Sequence, residues 1–432
     1  MTLTLYRLLL LIALPLIAYQ AFKRCRKARR EEKANPDLPK IRHCFKSRFG
    51  FNPSTFRTGG IWIHAVSVGE TRSIFPLLNA LHSQYPDMPI TVTSGSTQGA
   101  IQALRFSPVE IQHQMIPYDY SFAVNRFLKQ IAPKLVIVVE TEIWPNLYRS
   151  CHQQNIPLVL ANARLKEKSF DAYRKYGGSL VTNALNQTAL IAAQFPEDTR
   201  HFLKLGVTEE KVKTLGNLKF DIEVDPDLAA KARAWREQND LNERFIWVAA
   251  STHENEETLM LDAHHKLRAQ DPTALLILVP RHTDRFAEVA QLLANTPSAI
   301  RSKDQSISPD TQVYLADTVG ELMLWFEACD VAFIGGSLVP FGGHNILEPA
   351  ALKKPVLSGQ YHMNLQALYD SFKTEDAVMI SDDSQQLANQ LIELAQSSEK
   401  RQTAADKAYH CFRKQTGALD RLLTEIAPYL SR

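Results

Sequence analysis

Asp330-Val-Ala-Phe-Ile-Gly-Gly-Ser-Leu-Val-Pro-Phe-Gly-Gly-His-Asn-Ile-Leu-Glu-Pro-Ala350 is the stretch from which this chain of 432 residues is best read. Residues 330–335 form a short apolar run of the kind buried inside a parallel sheet, and a helix-forming run follows the glycines. Glycines there let backbone N–H groups approach an oxyanion, and a helix start favours negative charge. The carboxylate of Glu348 can accept hydrogen bonds from a ribose diol. A sugar nucleotide carries both a phosphate and a ribose, so residues 335–350 read as a donor-binding loop.

Outward from that loop, the same strand–turn–helix unit repeats. Before it, Ile61–Val66 reads as a strand and Thr71–Gln84 as its helix. Further strands are expected at Ile90–Ser94, Gln114–Pro117, Lys134–Glu140, Pro157–Ala161 and Ala189–Ala193. Lys134-Leu-Val-Ile-Val-Val-Glu140 is nearly continuous in β-branched residues, as expected of a strand buried on both faces. A second set follows the polar, acidic stretch Asp221–Asp227: Phe245–Ala250, Leu275–Val279, Val313–Ala316, Val331–Ile334, Pro355–Leu357 and Val378–Ile380. Such alternation predicts α/β architecture, with parallel sheets covered by helices on both faces. Two sets in succession predict two Rossmann-like domains facing a cleft, over residues 25–225 and 226–432. Ligands in such sheets sit beyond the carboxyl ends of the strands, which is where most of the unusual residues fall.

Composition narrows the setting. Hydrophobic residues make up 45% and charged residues 22%, which describes a globular chain long enough for two cores. The five cysteines (Cys25, Cys44, Cys151, Cys329, Cys411) are scattered and odd in number, so a disulfide framework is not expected and a reducing compartment is. The net charge of +3 divides into about +10 over residues 1–60 and about −7 over the rest, which argues against a broad nucleic-acid surface. Residues 3–22 are apolar and just long enough to cross a bilayer, and Lys23-Arg-Cys-Arg-Lys-Ala-Arg-Arg30 follows at once. The positive-inside rule makes residues 1–24 a single-pass anchor with everything after it in the cytoplasm. The basic cluster lies on the wrong side of the apolar run for a cleaved signal peptide. Arg7 and Pro15 interrupt the span, which leaves room for a shallow interfacial helix.

Several strand ends carry residues suited to chemistry. Ser67-Val-Gly-Glu70 follows the first strand, where a partly desolvated carboxylate can work as a general base; the plainer reading is a first-turn Glu near the helix dipole. Glu140 ends the most hydrophobic strand, a costly position for a carboxylate unless it is paired or functional, and Glu142 points to the opposite side. Lys219, in Gly216-Asn-Leu-Lys-Phe-Asp221, is placed to neutralise a phosphate or carboxylate, although an isolated lysine is more often a solvated charge. After Val279-Pro280, Arg281 can grip phosphate bidentately, and the backbone near Thr318-Val-Gly-Glu-Leu322 can meet a base edge. Ser251 or Thr252 reads as a helix cap, with Glu256-Glu257 in the first turns. His64, His253, His282 and His344 lie on different strand ends without ligand spacing, so no metal site is expected.

Five blocks together resemble one family. Ile63-His-Ala-Val-Ser-Val-Gly-Glu70, Glu140-Thr-Glu-Ile-Trp-Pro-Asn146, Gly216-Asn-Leu-Lys-Phe-Asp221, Pro280-Arg-His282 and Gly343-His-Asn-Ile-Leu-Glu-Pro349 are similar, in order, to motifs of the 3-deoxy-D-manno-octulosonic acid (Kdo) transferases of lipopolysaccharide assembly. The resemblance implies a GT-B glycosyltransferase at the cytoplasmic face of the bacterial inner membrane. It implies CMP-Kdo as donor, a lipid A precursor of the lipid IVA type as acceptor, inversion at the anomeric centre, and neither metal nor other cofactor. By the same resemblance Glu70 is the base, and Glu140 and Lys219 stabilise the transition state. Pro280, Arg281, Gly320, Glu321, Leu322, Asn345, Ile346, Leu347 and Glu348 would bind CMP. The basic stretch Lys40–Arg57 suits an acceptor carrying phosphates. The alternatives are a nucleotide-sugar epimerase of the same fold and a non-catalytic, membrane-tethered lipid-binding protein. The anchor and the basic N-terminal region count against the first, and the acidic residues at several strand ends against the second.

Overall fold

The computed structural model describes residues 1–222 and 224–431. Glu223, inside the acidic stretch that marks the domain boundary, and Arg432 lie outside the described residues. The chain forms two compact units, residues 1–221 with 416–432, and residues 222–415.

The first unit is built on a seven-stranded sheet: β1 (Ile61–Ala65), β2 (Ile90–Ser94), β3 (Gln112–Met115), β4 (Leu135–Val139), β5 (Leu158–Ala163), β6 (Leu190–Ala193) and β7 (Val212–Thr214). Their order is β3-β2-β1-β4-β5-β6-β7, and every pair is parallel. All five residues of β4 are buried, as its continuous apolar run predicts, because helices cover both faces. Trp62 of β1 packs edge-to-face on Phe127 at 4.8 Å in one layer of this core. The expected helix over 71–84 is instead two, α2 (Val68–Ser73) and a second over Phe75–Gln84. Pro76 accounts for the break, since a proline ring clashes with the carbonyl one turn back but fits a first turn.

The second unit repeats the plan with β8 (Ile246–Thr252), β9 (Leu275–Pro280), β10 (Ser298–Ile300), β11 (Val313–Leu315), β12 (Val331–Ile334), β13 (Val356–Gly359) and β14 (Met379–Ser381), in the order β10-β11-β9-β8-β12-β13-β14. Two Rossmann-like units of this kind make a GT-B chain. In each sheet the order of winding reverses beside the first strand, between β1 and β4 and between β8 and β12. Ligands of doubly wound sheets bind beyond the carboxyl ends of the strands at such a reversal.

Three sequence expectations change. The second domain does not run to the C-terminus: residues 416–432 group with the first unit. The Asp221 carboxylate accepts the N–H groups of Gly417 and Leu419, both at 2.5 Å, and Leu422, Ile426 and Leu430 of the terminal helix join the first unit's core. The N-terminal helix α1 does not stop at residue 24 but continues from Leu3 to Ala34. Finally, Cys25 and Cys44 form a disulfide. The chain turns back after α1, and the four-residue helix Cys44–Ser47 brings the two Cα atoms to 5.7 Å, a proximity that parity and spacing could not show. Cys151, Cys329 and Cys411 are free and buried.

Candidate functional site

At the reversal in the first unit, Ser67 caps α2 and Glu70 folds back on the cap. Ser67 Oγ accepts the Glu70 N–H at 3.3 Å and donates to Glu70 Oε1 at 2.8 Å, while Glu70 Oε2 accepts the Val66 N–H at 2.7 Å. This resembles a capping box, so the plainer reading of Glu70 is physically realised, and it also holds the carboxylate at one position. The side chain is half-buried, and a Cβ added to neighbouring Gly69 would meet nothing within 4 Å, so the surroundings have room for another molecule.

Glu140 follows β4 with φ of 61°, a left-handed conformation unusual for glutamate and of the kind concentrated at functional sites. Its Oε1 lies 2.6 Å from Lys219 Nζ. Lys219 sits on the short turn Leu218–Phe220, which is held by its own cap residue and by an asparagine of β5. Asn217 Oδ1 accepts the Lys219 N–H at 3.0 Å, and Asn162 Oδ1 accepts the Leu218 N–H at 3.0 Å. Burial pushes the Glu142 carboxyl up, a 2.8 Å bond from the Trp144 indole opposes this, and the charges of Glu70 and Glu140 add to the rise. Three carboxyl groups therefore share one electrostatic neighbourhood. Glu142, absent from the expected site, belongs to it.

The Lys219–Glu140 pair is 42% and 30% exposed, and such a pair contributes only ~0–1 kcal/mol to stability. Lys219→Met should therefore leave the melting temperature nearly unchanged, which a thermal melt checks.

In the second unit the glycine-rich loop wraps a protein carboxylate. Glu256 begins helix α3 (Glu256–Arg268) and is fully buried. Its Oε2 accepts the Gly336 N–H at 2.6 Å and the His253 N–H at 3.2 Å; Oε1 accepts those of Ser337 and Leu338 at 3.0 and 2.9 Å. Burial raises its pKa and these four bonds hold it down. A Cβ on Gly335 would sit 2.8 Å from Glu256 Oε2 and from the Ser251 carbonyl oxygen, so the close approach requires glycine there. The N–H groups at 336–338, expected to face a ligand, thus serve an internal anion. The signal was a pair of acidic residues opening a helix just after β8; nothing in it tells that Glu256 turns to the loop while Glu257, also buried, pairs with Arg285 at 2.7 Å.

Around this loop the remaining expected residues differ in availability. Arg281 is exposed after β9, its N–H bonded to the Thr252 carbonyl at 3.0 Å, and among the described residues its guanidinium makes no ion pair. Burial raises the pKa of Glu348, and the Arg281 charge pulls it back, which places the two groups within electrostatic reach. Pro280 is buried at the end of β9. Ile346 and Leu347 are fully buried, so only their backbone can meet a ligand. Asn345 Oδ1 accepts the Leu347 N–H at 3.1 Å, and the helix that follows is only Leu347–Ala351. Gly320 has φ of 93° and is exposed, and Leu322 is half-buried. The Glu321 carboxylate is taken by Arg301 at 2.8 Å and by the Thr318 hydroxyl, and the arginine lowers its pKa.

Of the four histidines, His64 lies in the first unit, where its Nδ1 is 3.0 Å from the Thr93 carbonyl oxygen. The other three meet each other: His253 Nε2 is 2.8 Å from His344 Nε2, and the His253 ring stacks on Phe341 at 4.0 Å and lies 5.4 Å from His282. Burial and the neighbouring cations push His344 down to about 4, so that ring is neutral at pH 7. Among the described residues, Glu167, Glu197 and His201 alone bring three ligand-type atoms within 4.8 Å of one another, and both acids there are exposed.

The sequence model described as 3-Deoxy-D-manno-octulosonic-acid transferase (kdotransferase) matches residues 43–222. A 3-deoxy-D-manno-octulosonic acid transferase of Haemophilus influenzae is 38% identical over 403 residues, covering 91% of this chain and 93% of that one. One of Bordetella pertussis is 30% identical, covering 86% and 87%. Among solved structures, a UDP-GlcNAc 2-epimerase from Neisseria meningitidis bound to UDP-GlcNAc superposes with a TM-score of 0.56 at 12% identity, over 85% of this chain and 100% of that one. The last likeness concerns the fold alone. Identity sustained along almost the whole of both chains concerns more than the fold: this chain belongs to the 3-deoxy-D-manno-octulosonic acid transferases, glycosyltransferases of lipopolysaccharide assembly.

Proposed function

We propose that the chain moves Kdo from CMP-Kdo to a hydroxyl of a lipid A precursor of the lipid IVA type, with inversion and without a metal, at the cytoplasmic face of the bacterial inner membrane. The observation that carries this reading is the gathering of Glu70, Glu140 and Lys219 in the first unit, with Glu70 and Glu140 following the two strands that flank its reversal point. Glu70, held by Ser67 and Val66, accepts the proton of the acceptor hydroxyl as that oxygen bonds to the anomeric carbon. The bond from that carbon to the phosphate oxygen breaks, and CMP leaves with the electron pair. Attack from the face opposite the leaving group inverts the centre. Lys219, oriented by Glu140, stabilises negative charge developing in the transition state. Arg281, exposed and without an ion pair among the described residues, meets the phosphate of the nucleotide, and Glu348 accepts from the ribose. No step in this scheme needs a Lewis acid, because fixed cations and the base meet each demand for charge.

The first test is CMP release from CMP-Kdo by the purified full chain, with and without a tetraacylated lipid A precursor. Release that requires the acceptor, with a product heavier by Kdo, supports the assignment. Nucleotide turnover indifferent to lipid would favour an epimerase-type reaction instead. Arg281→Ala should weaken CMP binding by ~10–100-fold, the scale of a hydrogen bond to a charged group, and unchanged affinity in a titration would remove Arg281 from the site.

A further inference from the structure

Three buried carboxamides form a closed chain of hydrogen bonds that ends on Lys219. Asn162 belongs to β5, Gln194 follows β6, and Asn217 opens the turn that carries the lysine. Gln194 Nε2 donates to the Asn162 carbonyl at 2.9 Å, and Gln194 Oε1 accepts from Asn217 Nδ2 at 3.1 Å. Asn217 Oδ1 takes the Lys219 N–H and Asn162 Oδ1 the Leu218 N–H, both at 3.0 Å, which closes the ring.

The ring depends on a departure from regular sheet. β5 slips by one residue against β6 between Leu160 and Ala163, and Asn162 lies in the slip with φ of 55°. An extra residue in a strand re-aims the side chains after it, and asparagine tolerates the left-handed region better than most residues with a Cβ. The Asn162 Nδ2 is buried and has no hydrogen-bond partner. A position chosen for stability alone would keep neither the strained backbone nor the unsatisfied amide; such costs gather where geometry serves function. The same stretch of β5 also holds the partner of Lys219, since the Glu140 N–H donates to the Ala161 carbonyl at 2.9 Å. Lys219 needs fixing from outside its own side chain. An ammonium on a flexible four-carbon stem does not orient itself, and the chain leaves the first unit just beyond, after Asp221.

We propose that Asn162 and Gln194 are positioning residues for the transfer reaction: they hold the turn at 217–219 so that the Lys219 ammonium stays on Glu140. Neither lies in the five blocks that carry the family resemblance, and neither has to touch a substrate. The inference rests on the role in Kdo transfer proposed above for Lys219.

Two substitutions test it in the full chain. Asn162→Gly keeps the left-handed backbone and removes the carboxamide, and Gln194→Leu removes both bonds of the glutamine at similar volume. The first readout needs no turnover. It is the rate of amine acylation at Lys219 by peptide mass spectrometry, relative to Lys213, which pairs with Glu425 at 2.8 Å in the same unit. The ratio should rise about twofold or more in both variants, as a fall of ~0.3 in the lysine pKa would give. A ratio that stays at the parent value in both overturns the proposal. The second readout is kcat in a double-mutant cycle. Each substitution should lower kcat by about 10-fold, inside the ~10²-fold that a misplacement far from the chemistry can cost, with the KM for CMP-Kdo nearly unchanged. In a Lys219→Met chain the same substitutions should lower kcat no further. A second loss of full size there would mean that the carboxamides act other than through Lys219, and overturns this proposal alone. If Lys219→Met by itself leaves kcat unchanged, the role of the lysine in transfer falls, and this proposal with it.

Discussion

With glutamine at position 70, transfer should fall by about 10²–10⁴-fold, the usual contribution of a positioned general base, while CMP affinity stays nearly unchanged. Glu70 performs two jobs at once, and this substitution separates them. As a cap it accepts the Val66 N–H and the Ser67 hydroxyl, and a glutamine oxygen can replace only part of that. Loss of a cap costs about 0.5–2 kcal/mol, which a melting curve resolves. As a base it loses everything, because an amide cannot take up the proton. A large drop in kcat with a small shift in melting temperature therefore identifies the base. A drop in CMP affinity together with melting temperature would reduce Glu70 to its cap.

Glu256→Ala should be the most damaging substitution in the second unit. It leaves the N–H groups of Gly336, Ser337, Leu338 and His253 without their acceptor at the end of a fully buried strand. Each unsatisfied buried donor costs about 1–3 kcal/mol, so a loss of about 3 kcal/mol or more is expected even if water enters the gap. Calorimetry should show the second unit's transition moving down, and titration should show CMP binding weakened with it. A transition that stays in place would mean that the loop's amides find other partners, and that Glu256 is dispensable for the loop's shape.

The strands beside the two reversal points were legible because their burial is written as unbroken apolar runs; β4 and β12 are examples. The strands β7 and β10 were not, since each has three residues and only one is fully buried, too little for any periodicity to register. Glu70, Glu140 and Lys219 could be flagged from their places at strand ends. That Glu140 meets Lys219, 79 residues away, depends on the order of strands, which a local pattern does not carry. The glycine loop shows the opposite limit. Its composition announces amides facing an anion, but not that Glu256 is the anion. The disulfide was missed because Cys25 and Cys44 are joined by a turn of the chain and not by a spacing rule.

The clamp of Asp221 on Gly417 and Leu419 makes the second unit an insertion. The chain leaves the first unit at residue 221 and returns to it at 416, so no single cut separates the two. Residues 222–415 could be excised whole with both of their ends released. The first unit could not be obtained by stopping translation at residue 221, since its core takes in Leu422, Ile426 and Leu430 from beyond the second unit. During synthesis, then, the half that would carry Glu70 is completed last, after the half that would hold the nucleotide already has its full sequence.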